Sequence, residues 1–328
     1  MTKHIEDKLD KIPVLNIIVR FFKQIRLPGF EGLSIYDLLE LYVMGIVKGA
    51  LTTRASAIAF SFFTAIFPFL LFVIILIPYI PIDNFQAEFL DFLNSFLPPQ
   101  TSDFFFSNIF ENINGNGGGL LSSVFLLSML LMANGVNAVF SGFENSYHEQ
   151  LTRNVFKQYI FALGIALILA ILVLLTVAFL GYFQIYIIEP LYESINKEMV
   201  SEDNSGVGWV IFAKYMFFVV MTYLATATLY YFGTREGRKS RFFSVGALLT
   251  TLLIILTSFL FGIYINNFSQ YNELYGSIGG LLILLLYLWL NSNILLLGYE
   301  LNASLQFLRK HPKAKKAFKL KDIEDLIK

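Results

Sequence analysis

Residues 279–305 read GGLLILLLYLWLNSNILLLGYELNASL. Glu300 is the one charged side chain in this stretch, and the first half is almost wholly aliphatic or aromatic. Because the hydrocarbon layer of a bilayer is about 30 Å thick, a helix needs roughly 20 mostly apolar residues to cross it. The stretch therefore predicts a transmembrane helix that carries polar side chains at several depths.

Five further runs of the chain have the same apolar character. The six predicted spans are residues 57–79, 120–142, 159–181, 207–232, 243–265 and 276–298. Of the 328 residues, 56% are hydrophobic and 15% are charged, whereas soluble domains have about 25% charged residues. The first apolar run begins after residue 50, so we expect no cleavable signal peptide. The sequence predicts an all-α polytopic membrane protein with six transmembrane helices.

The basic residues predict the orientation of these helices. The loop between spans 1 and 2 has no Lys or Arg, the loop between spans 3 and 4 has Lys197 alone, and the loop after span 5 has none. Lys and Arg collect instead in residues 3–54, 153–157, 234–241 and 309–328. Since Lys and Arg favour the cytoplasmic side, both termini are predicted to lie in the cytoplasm.

The chain divides into three predicted regions. Residues 1–50 form cytoplasmic amphipathic and elbow helices, residues 51–308 form the transmembrane domain, and residues 309–328 form a basic tail. The basic amphipathic segment 14–26 and the tail are suited to contact with the anionic lipids of the inner leaflet. The phenylalanine-rich loop between spans 1 and 2 predicts a helical segment at the outer interface.

Polar residues inside the spans are the candidates for function, because a polar group in hydrocarbon needs a partner or a wet cavity. Depth and helical phase bring the polar faces of spans 1, 2 and 6 together, and they predict one pocket that faces the cytoplasm. The candidate pocket residues are Arg54, Ser61, Thr64, Pro68, Asn134, Asn137, Ser141, Glu144, Asn291, Asn293, Glu300 and Asn302.

Arg54, Glu144 and Glu300 share one depth near the cytoplasmic boundary. Their opposite charges predict that Arg54 pairs with Glu300 or with Glu144 across the mouth of the pocket. For Asn134 and Asn291 two interpretations remain open. These amides either line a pathway or serve as contacts between helices.

Three separated segments resemble the YihY/virulence factor BrkB family of bacterial inner-membrane proteins. They are RASAIAFSFFTAIFPFLLF (residues 54–72), GVNAVFSGFENSYHEQLTRNVFKQY (residues 135–159) and the stretch from Phe268 to Leu305. The chain departs from the family at residues 233–243, where the family pattern has a Pro-Asn turn and a Trp. The resemblance implies a six-span fold with both termini inside and no assigned reaction, although the family once carried the label ribonuclease BN.

The residues themselves argue against an enzyme. The chain has no cysteine, and its three histidines, His4, His148 and His311, are far apart in sequence. No metal-binding run, Walker A loop or nucleophile elbow is present, so ribonuclease and ATPase activities are not expected, nor are a cofactor, a metal or a nucleic-acid partner. No sequence feature specifies an oligomeric state.

Two functions from different classes remain. One is a flippase-like translocator of a lipid or another amphiphilic or polar solute, and the other is a structural or scaffold protein of the cell envelope.

Overall fold

A computed structural model describes residues 21–25, 34–36, 51–76, 118–146, 149–150, 155–183, 186–187, 190, 205–234, 241–267 and 277–310. Six long helices account for most of these residues. They are α1 (Leu51–Leu76), α2 (Gly118–Glu144), α3 (Val155–Phe183), α4 (Ser205–Gly233), α5 (Val245–Asn267) and α6 (Ser277–Lys310). Two-residue strands, β1 (Asn145–Ser146) and β2 (Glu149–Gln150), pair antiparallel after α2.

Helices α2 to α6 are long and apolar enough to cross a membrane. In α1 the described apolar segment, Leu51–Ile66, is shorter, although the helix itself has 26 residues. The prediction of an all-α polytopic membrane protein is confirmed. Helix α6 has 34 residues, so at about 1.5 Å per residue it extends well beyond a bilayer core.

Several sequence predictions lie outside the described residues. These are the phenylalanine-rich loop, the basic tail beyond residue 310, His4, His148 and His311, and most of the N-terminal amphipathic segment. Of that segment residues 21–24 are helical. Beyond it, the backbone N–H of Ile35 donates to the carbonyl of Ile25 over 3.1 Å.

The helices form a closed ring in chain order. Each helix packs against the next one, and α6 returns to pack against α1. Helix α2 also contacts α4 and α6. It therefore packs against more of the described helices than any other helix does. The ring leaves large apolar side chains exposed on its outside, for example Trp209 on α4 and Phe259 on α5. Such a surface is suited to lipid rather than to water.

An aromatic cluster fills the ring where α2, α4 and α6 meet. The ring of Phe143 stacks on Tyr299 with centroids 4.1 Å apart, and it meets Tyr230 edge-on at 5.5 Å. The hydroxyl of Tyr299 donates to Thr234 at the end of α4 over 2.8 Å. All four side chains are buried. The cluster therefore holds the ends of α2 and α4 against α6.

Helices α5 and α6 approach each other at two glycines. A Cβ atom on Gly298 would collide with the hydroxyl of Thr250, and one on Gly246 would collide with the carbonyl of Gly298. Small residues at a helix crossing let the backbones come close, and packing then contributes more of the association energy in a membrane.

Helix α1 contains Pro68, whose ring cannot donate a backbone hydrogen bond. The hydroxyl of Ser128 on α2 donates to the carbonyl of Pro68 over 2.5 Å. Because neighbouring helices can supply polar partners, a proline inside a transmembrane helix is tolerated. This bond attaches α1 to α2 at the proline.

Candidate functional site

An ion pair joins the start of α1 to α6. The Nη2 atom of Arg54 lies 3.2 Å from Oε1 of Glu300, and the two side chains are 11% and 13% exposed. The structure therefore confirms the pairing with Glu300 that the common depth of the two residues predicted. Glu144, the alternative partner, is the last residue of α2 and is half-buried.

Arg54 also binds the end of α2. Its Nη1 atom donates to the carbonyl of Gly142 over 2.7 Å. Gly142 lies in the last turn of α2, where carbonyl groups lack partners within the helix and the helix dipole favours a cation. One guanidinium group thus holds three helices together. We call the region formed by Arg54, Gly142 and Glu300 the Arg54 end.

Asn302 connects α6 to the start of α5. Its Oδ1 atom accepts from the backbone N–H of Gly246 over 2.8 Å, and its Nδ2 atom donates to the hydroxyl of Ser244 over 2.8 Å. Ser244 in turn caps α5, since its hydroxyl accepts from the N–H of Ala247 at 3.3 Å. Asn302 therefore acts as an interhelical contact.

Asn291 and Asn293 make bonds within α6. The Nδ2 atom of Asn291 donates to the carbonyl of Tyr287 over 2.9 Å, and that of Asn293 donates to Trp289 over 2.7 Å. Such bonds to the preceding turn satisfy the amide N–H groups without linking two helices. Within the described residues, the buried Oδ1 atom of Asn291 has no hydrogen-bond partner.

The candidates on α1 bond to nearby backbone or to α2. Thr64 donates to the carbonyl of Ser61 over 3.0 Å, and Pro68 accepts from Ser128 as described above. All three candidates are half-buried. Their polar groups serve local structure and the contact between α1 and α2.

The candidate residues of α2 do not all face the same way. Ser141 accepts from Gln158 of α3 over 3.3 Å, and Asn137 is half-buried. Asn134 is exposed, which differs from the predicted position inside a pocket with Asn291. The physical reason is the rotation of α2. Gly135 faces α1, and Asn134, one residue earlier and about 100° around the helix, points away from the ring.

The described cavity is apolar. It has a volume of about 200 Å³ and lies between α1, α2 and α3, with one residue from α6. Its lining residues are Phe62, Ala65, Ile66, Phe69, Met132, Val136, Ala166, Leu169, Ala170, Val173 and Leu288. None of the twelve predicted pocket residues lines it. We call this space the α1–α3 cavity.

Helix α3 contributes four residues to that cavity, although its sequence is almost uniformly apolar. It has an exposed side, with Leu175 and Ile171, and a buried side, with Ala162, Ala166 and Ala170. An all-apolar helix has no polar face to show which side is buried. The alanines were the available signal, since small residues mark close packing in membrane helices.

A second polar network was missing from the predicted site. The hydroxyl of Tyr230 on α4 donates to the carbonyl of Leu295 over 2.6 Å and lies 2.6 Å from the hydroxyl of Thr250 on α5. In addition, Ser258 of α5 and Tyr287 of α6 have hydroxyls 2.6 Å apart. The sequence signal for this network was the presence of hydroxyl-bearing side chains at matched depths on neighbouring helices.

The described residues hold no group of three His, Asp or Glu side chains that could bind a metal ion. The paired charges of Arg54 and Glu300 join α1 to α6, and Arg54 also bonds α2.

The sequence matches a known protein family. Residues 45–323 match the family model described as Virulence factor BrkB. The chain is similar to the Putative ribonuclease-like protein YfkH of Bacillus subtilis (strain 168), with 26% identity over 262 residues, which cover 79% of this chain and 92% of that protein.

Shorter similarities point the same way. A UPF0761 membrane protein of Xanthomonas oryzae pv. oryzae (strain PXO99A) is 39% identical over 69 residues, 21% of this chain and 16% of that protein. The UPF0761 membrane protein XAC0937 of Xanthomonas axonopodis pv. citri matches to the same extent. No solved structure matches.

Proposed function

Since the chain belongs to the Virulence factor BrkB family and is an integral membrane protein, we propose a function inside the bilayer: it is a flippase-like translocator that moves a lipid or another amphiphile across the bacterial inner membrane. The protein carries out no chemical step in this proposal. Both termini lie in the cytoplasm, in agreement with the distribution of Lys and Arg.

The observation that carries the proposal is the α1–α3 cavity. Its volume is about 200 Å³ and its lining is apolar. Cavities of roughly 150 Å³ with apolar walls bind molecules such as benzene, so this space has room for a segment of an acyl chain. An apolar cavity inside a membrane bundle gives the chain of an amphiphile a binding place while its polar group moves.

The walls of the cavity include α1, the helix that contains Pro68. Phe62, Ala65, Ile66 and Phe69 belong to α1 and precede or follow Pro68 closely. A proline removes one backbone hydrogen bond of its helix, and helices bend most readily at such a residue. A bend of α1 at Pro68 would alter the width of the cavity.

The second candidate, a structural protein of the envelope, is favoured by a different observation. Interhelical hydrogen bonds involve the polar groups of Arg54, Asn302 and Tyr230. Such contacts hold a bundle together and require no substrate. The two functions make opposite predictions for lipid movement.

A lipid-movement assay separates them. The purified full chain is placed in vesicles that contain a fluorescent phospholipid, and a reagent outside the vesicles quenches the label that reaches the outer leaflet. The translocator predicts faster loss of fluorescence than in protein-free vesicles. Equal rates with several labelled lipids and amphiphiles would contradict it and leave the structural function.

A matched pair of variants connects the activity to the cavity. Ala65 lines the cavity and is 4% exposed, whereas Ala57 lies two turns earlier on α1 and is exposed. Ala65→Leu fills the cavity and should lower the rate, while Ala57→Leu makes the same change on the outside and should not. A rate that both variants leave unchanged would move the substrate path elsewhere.

The name of the Bacillus relative suggests one further control. That protein is called ribonuclease-like, so the same preparation should be incubated with RNA. We expect no cleavage above that of a mock purification, since the proposal includes no reaction.

A further inference from the structure

We propose that a second copy of this chain binds along the outer side of α2, so that the protein is a symmetric dimer with Asn134 at the centre of the interface. This inference is independent of the proposed translocator function. It begins with four exposed residues, Ser123, Leu127, Leu130 and Asn134, which we call the α2 stripe.

The α2 stripe follows the spacing of one helix face. Its members are separated by four, three and four residues, which is the repeat that lets two helices pack along a shallow left-handed crossing. Ala138 continues the stripe as a half-buried small residue. Leu127 and Leu130 are 52% and 48% exposed, so a partner helix has side chains to contact.

Among the described residues, other helices of the same chain pack on both flanks of the α2 stripe, while its four members are exposed. On one flank Gly135 faces α1, where its Cβ would lie 3.5 Å from Phe62. On the other flank the hydroxyl of Tyr159 on α3 donates to the carbonyl of Leu130 over 2.9 Å.

Asn134 makes lipid a poor occupant of this surface. Its position is ten residues before Glu144, the last residue of α2, which places it about 15 Å inside that end of the helix. In a hydrocarbon layer about 30 Å thick this is close to the middle, where lipid tails offer no hydrogen bonds. Within the described residues the carboxamide of Asn134 is exposed and forms no hydrogen bond. A polar group at that depth requires a polar partner.

A second copy supplies that partner at the correct depth. Two copies inserted in the same direction and related by a two-fold axis along the membrane normal bring identical residues face to face. Asn134 of one copy then meets Asn134 of the other at equal depth. A carboxamide both donates and accepts, so two of them form a self-complementary pair, as polar residues do between membrane helices.

The absence of cysteine from the chain makes the interface testable by cross-linking. Leu130→Cys places one thiol on the stripe, and Leu256→Cys places one on α5, at 52% exposure and mid-helix, as the control. The full chain is reconstituted in vesicles and treated with a lipid-soluble reagent that joins two thiols. We expect cross-linked dimers from Leu130→Cys and not from Leu256→Cys. Equal yields, or no dimer from Leu130→Cys, would overturn the proposal, and this test keeps Asn134 intact.

A second measurement addresses Asn134 directly. Single-molecule photobleaching counts the copies per particle over a range of protein-to-lipid ratios for the natural chain, Asn134→Leu and Asn134→Gln. Loss of an amide contact should weaken the dimer about tenfold, since such contacts contribute about 1–2 kcal/mol, and Asn134→Gln should retain most of it. Monomers at every ratio, or equal dimerisation of the natural chain and Asn134→Leu, would refute the interface.

Discussion

The guanidinium of Arg54 lies 3.2 Å from the carboxylate of Glu300 and joins residues that are 246 positions apart in the chain. The same guanidinium donates to the carbonyl of Gly142 over 2.7 Å. The first turn of α1, the last turn of α2 and the extension of α6 therefore meet at one side chain. Because both charged groups are largely buried, the loss of either one leaves the other without compensation.

Removal of Arg54 should destabilise the bundle more than removal of a surface charge. We expect Arg54→Ala or Glu300→Ala to lower the free energy of unfolding by about 3 kcal/mol. The loss of unfolding free energy in the double variant should be smaller than the sum of the two single losses by about 1–3 kcal/mol. Unfolding in mixed micelles measures all four proteins. Arg241, which is exposed, is the control, and its alanine variant should change stability by about 0.5 kcal/mol or less. Additive single effects would show that the pair does not interact.

Arg54→Lys tests the shape of the group as well as its charge. A lysine has one ammonium centre and no planar fork, so it cannot bond Glu300 and Gly142 as two separate nitrogens do. We expect a variant of intermediate stability, above Arg54→Ala and below the natural chain, in the same unfolding measurement. Full stability of Arg54→Lys would mean that the bond to Gly142 contributes nothing.

The crossing of α5 and α6 should tolerate no side chain at its glycines. Gly298→Ala places a methyl group against the hydroxyls of Thr250 and Tyr230, and overpacking of this kind costs about 1–3 kcal/mol. Gly262→Ala is the matched control on α5, because a Cβ there meets nothing within 4 Å. That variant should be as stable as the natural chain or more stable by up to about 1 kcal/mol, since alanine favours a helix. Thermal unfolding in detergent compares the two, and equal loss in both would indicate that close approach is not the cause.

The start of α5 should depend on Ser244 and Asn302 together. Ser244→Ala removes a helix cap worth about 0.5–2 kcal/mol, and Asn302→Ala leaves the N–H of Gly246 without its acceptor, at a cost of about 1–3 kcal/mol. Since the Nδ2 atom of Asn302 also donates to Ser244, the double variant should lose less than the sum. Hydrogen exchange at the first turn of α5 should speed up in each single variant. Unchanged exchange there would contradict the capping role.

Hydropathy and charge predicted the helices and one contact, but not how the helices face one another. The apolar runs identified all six helices because membrane spans need long uninterrupted apolar segments. Depth in a membrane is read from residue count, and it predicted that Arg54 pairs with Glu300 or with Glu144, because all three residues fall at one boundary. The depth of a residue does not fix the rotation of its helix about the helix axis. For this reason Asn134 was predicted to face inward, although it is exposed.

The apolar cavity and the hydroxyl network required the packed structure. Leu169 lines the cavity from α3, whose sequence is almost uniformly apolar, so that helix does not show which of its residues face inward. Tyr230 and Thr250 meet beside Gly298, where a Cβ atom would collide with both hydroxyls. Gly298 stands beside Tyr299 and Glu300 in the sequence, and this small residue among large ones was the visible sign of the crossing.

The Tyr230 hydroxyl should stabilise the junction of α4, α5 and α6. Tyr230→Phe leaves the buried hydroxyl of Thr250 without its partner and removes one bond to the carbonyl of Leu295, so we expect a loss of about 1–3 kcal/mol. Replacing both partners by apolar groups of similar shape is nearly neutral; the variant Tyr230→Phe with Thr250→Val should therefore recover part of that loss. Tyr215→Phe makes the same change on α4 at a side chain that is 66% exposed and should have little effect. Unfolding of the four proteins in mixed micelles decides the matter, because a purely apolar contribution of Tyr230 would leave Tyr230→Phe as stable as Tyr215→Phe.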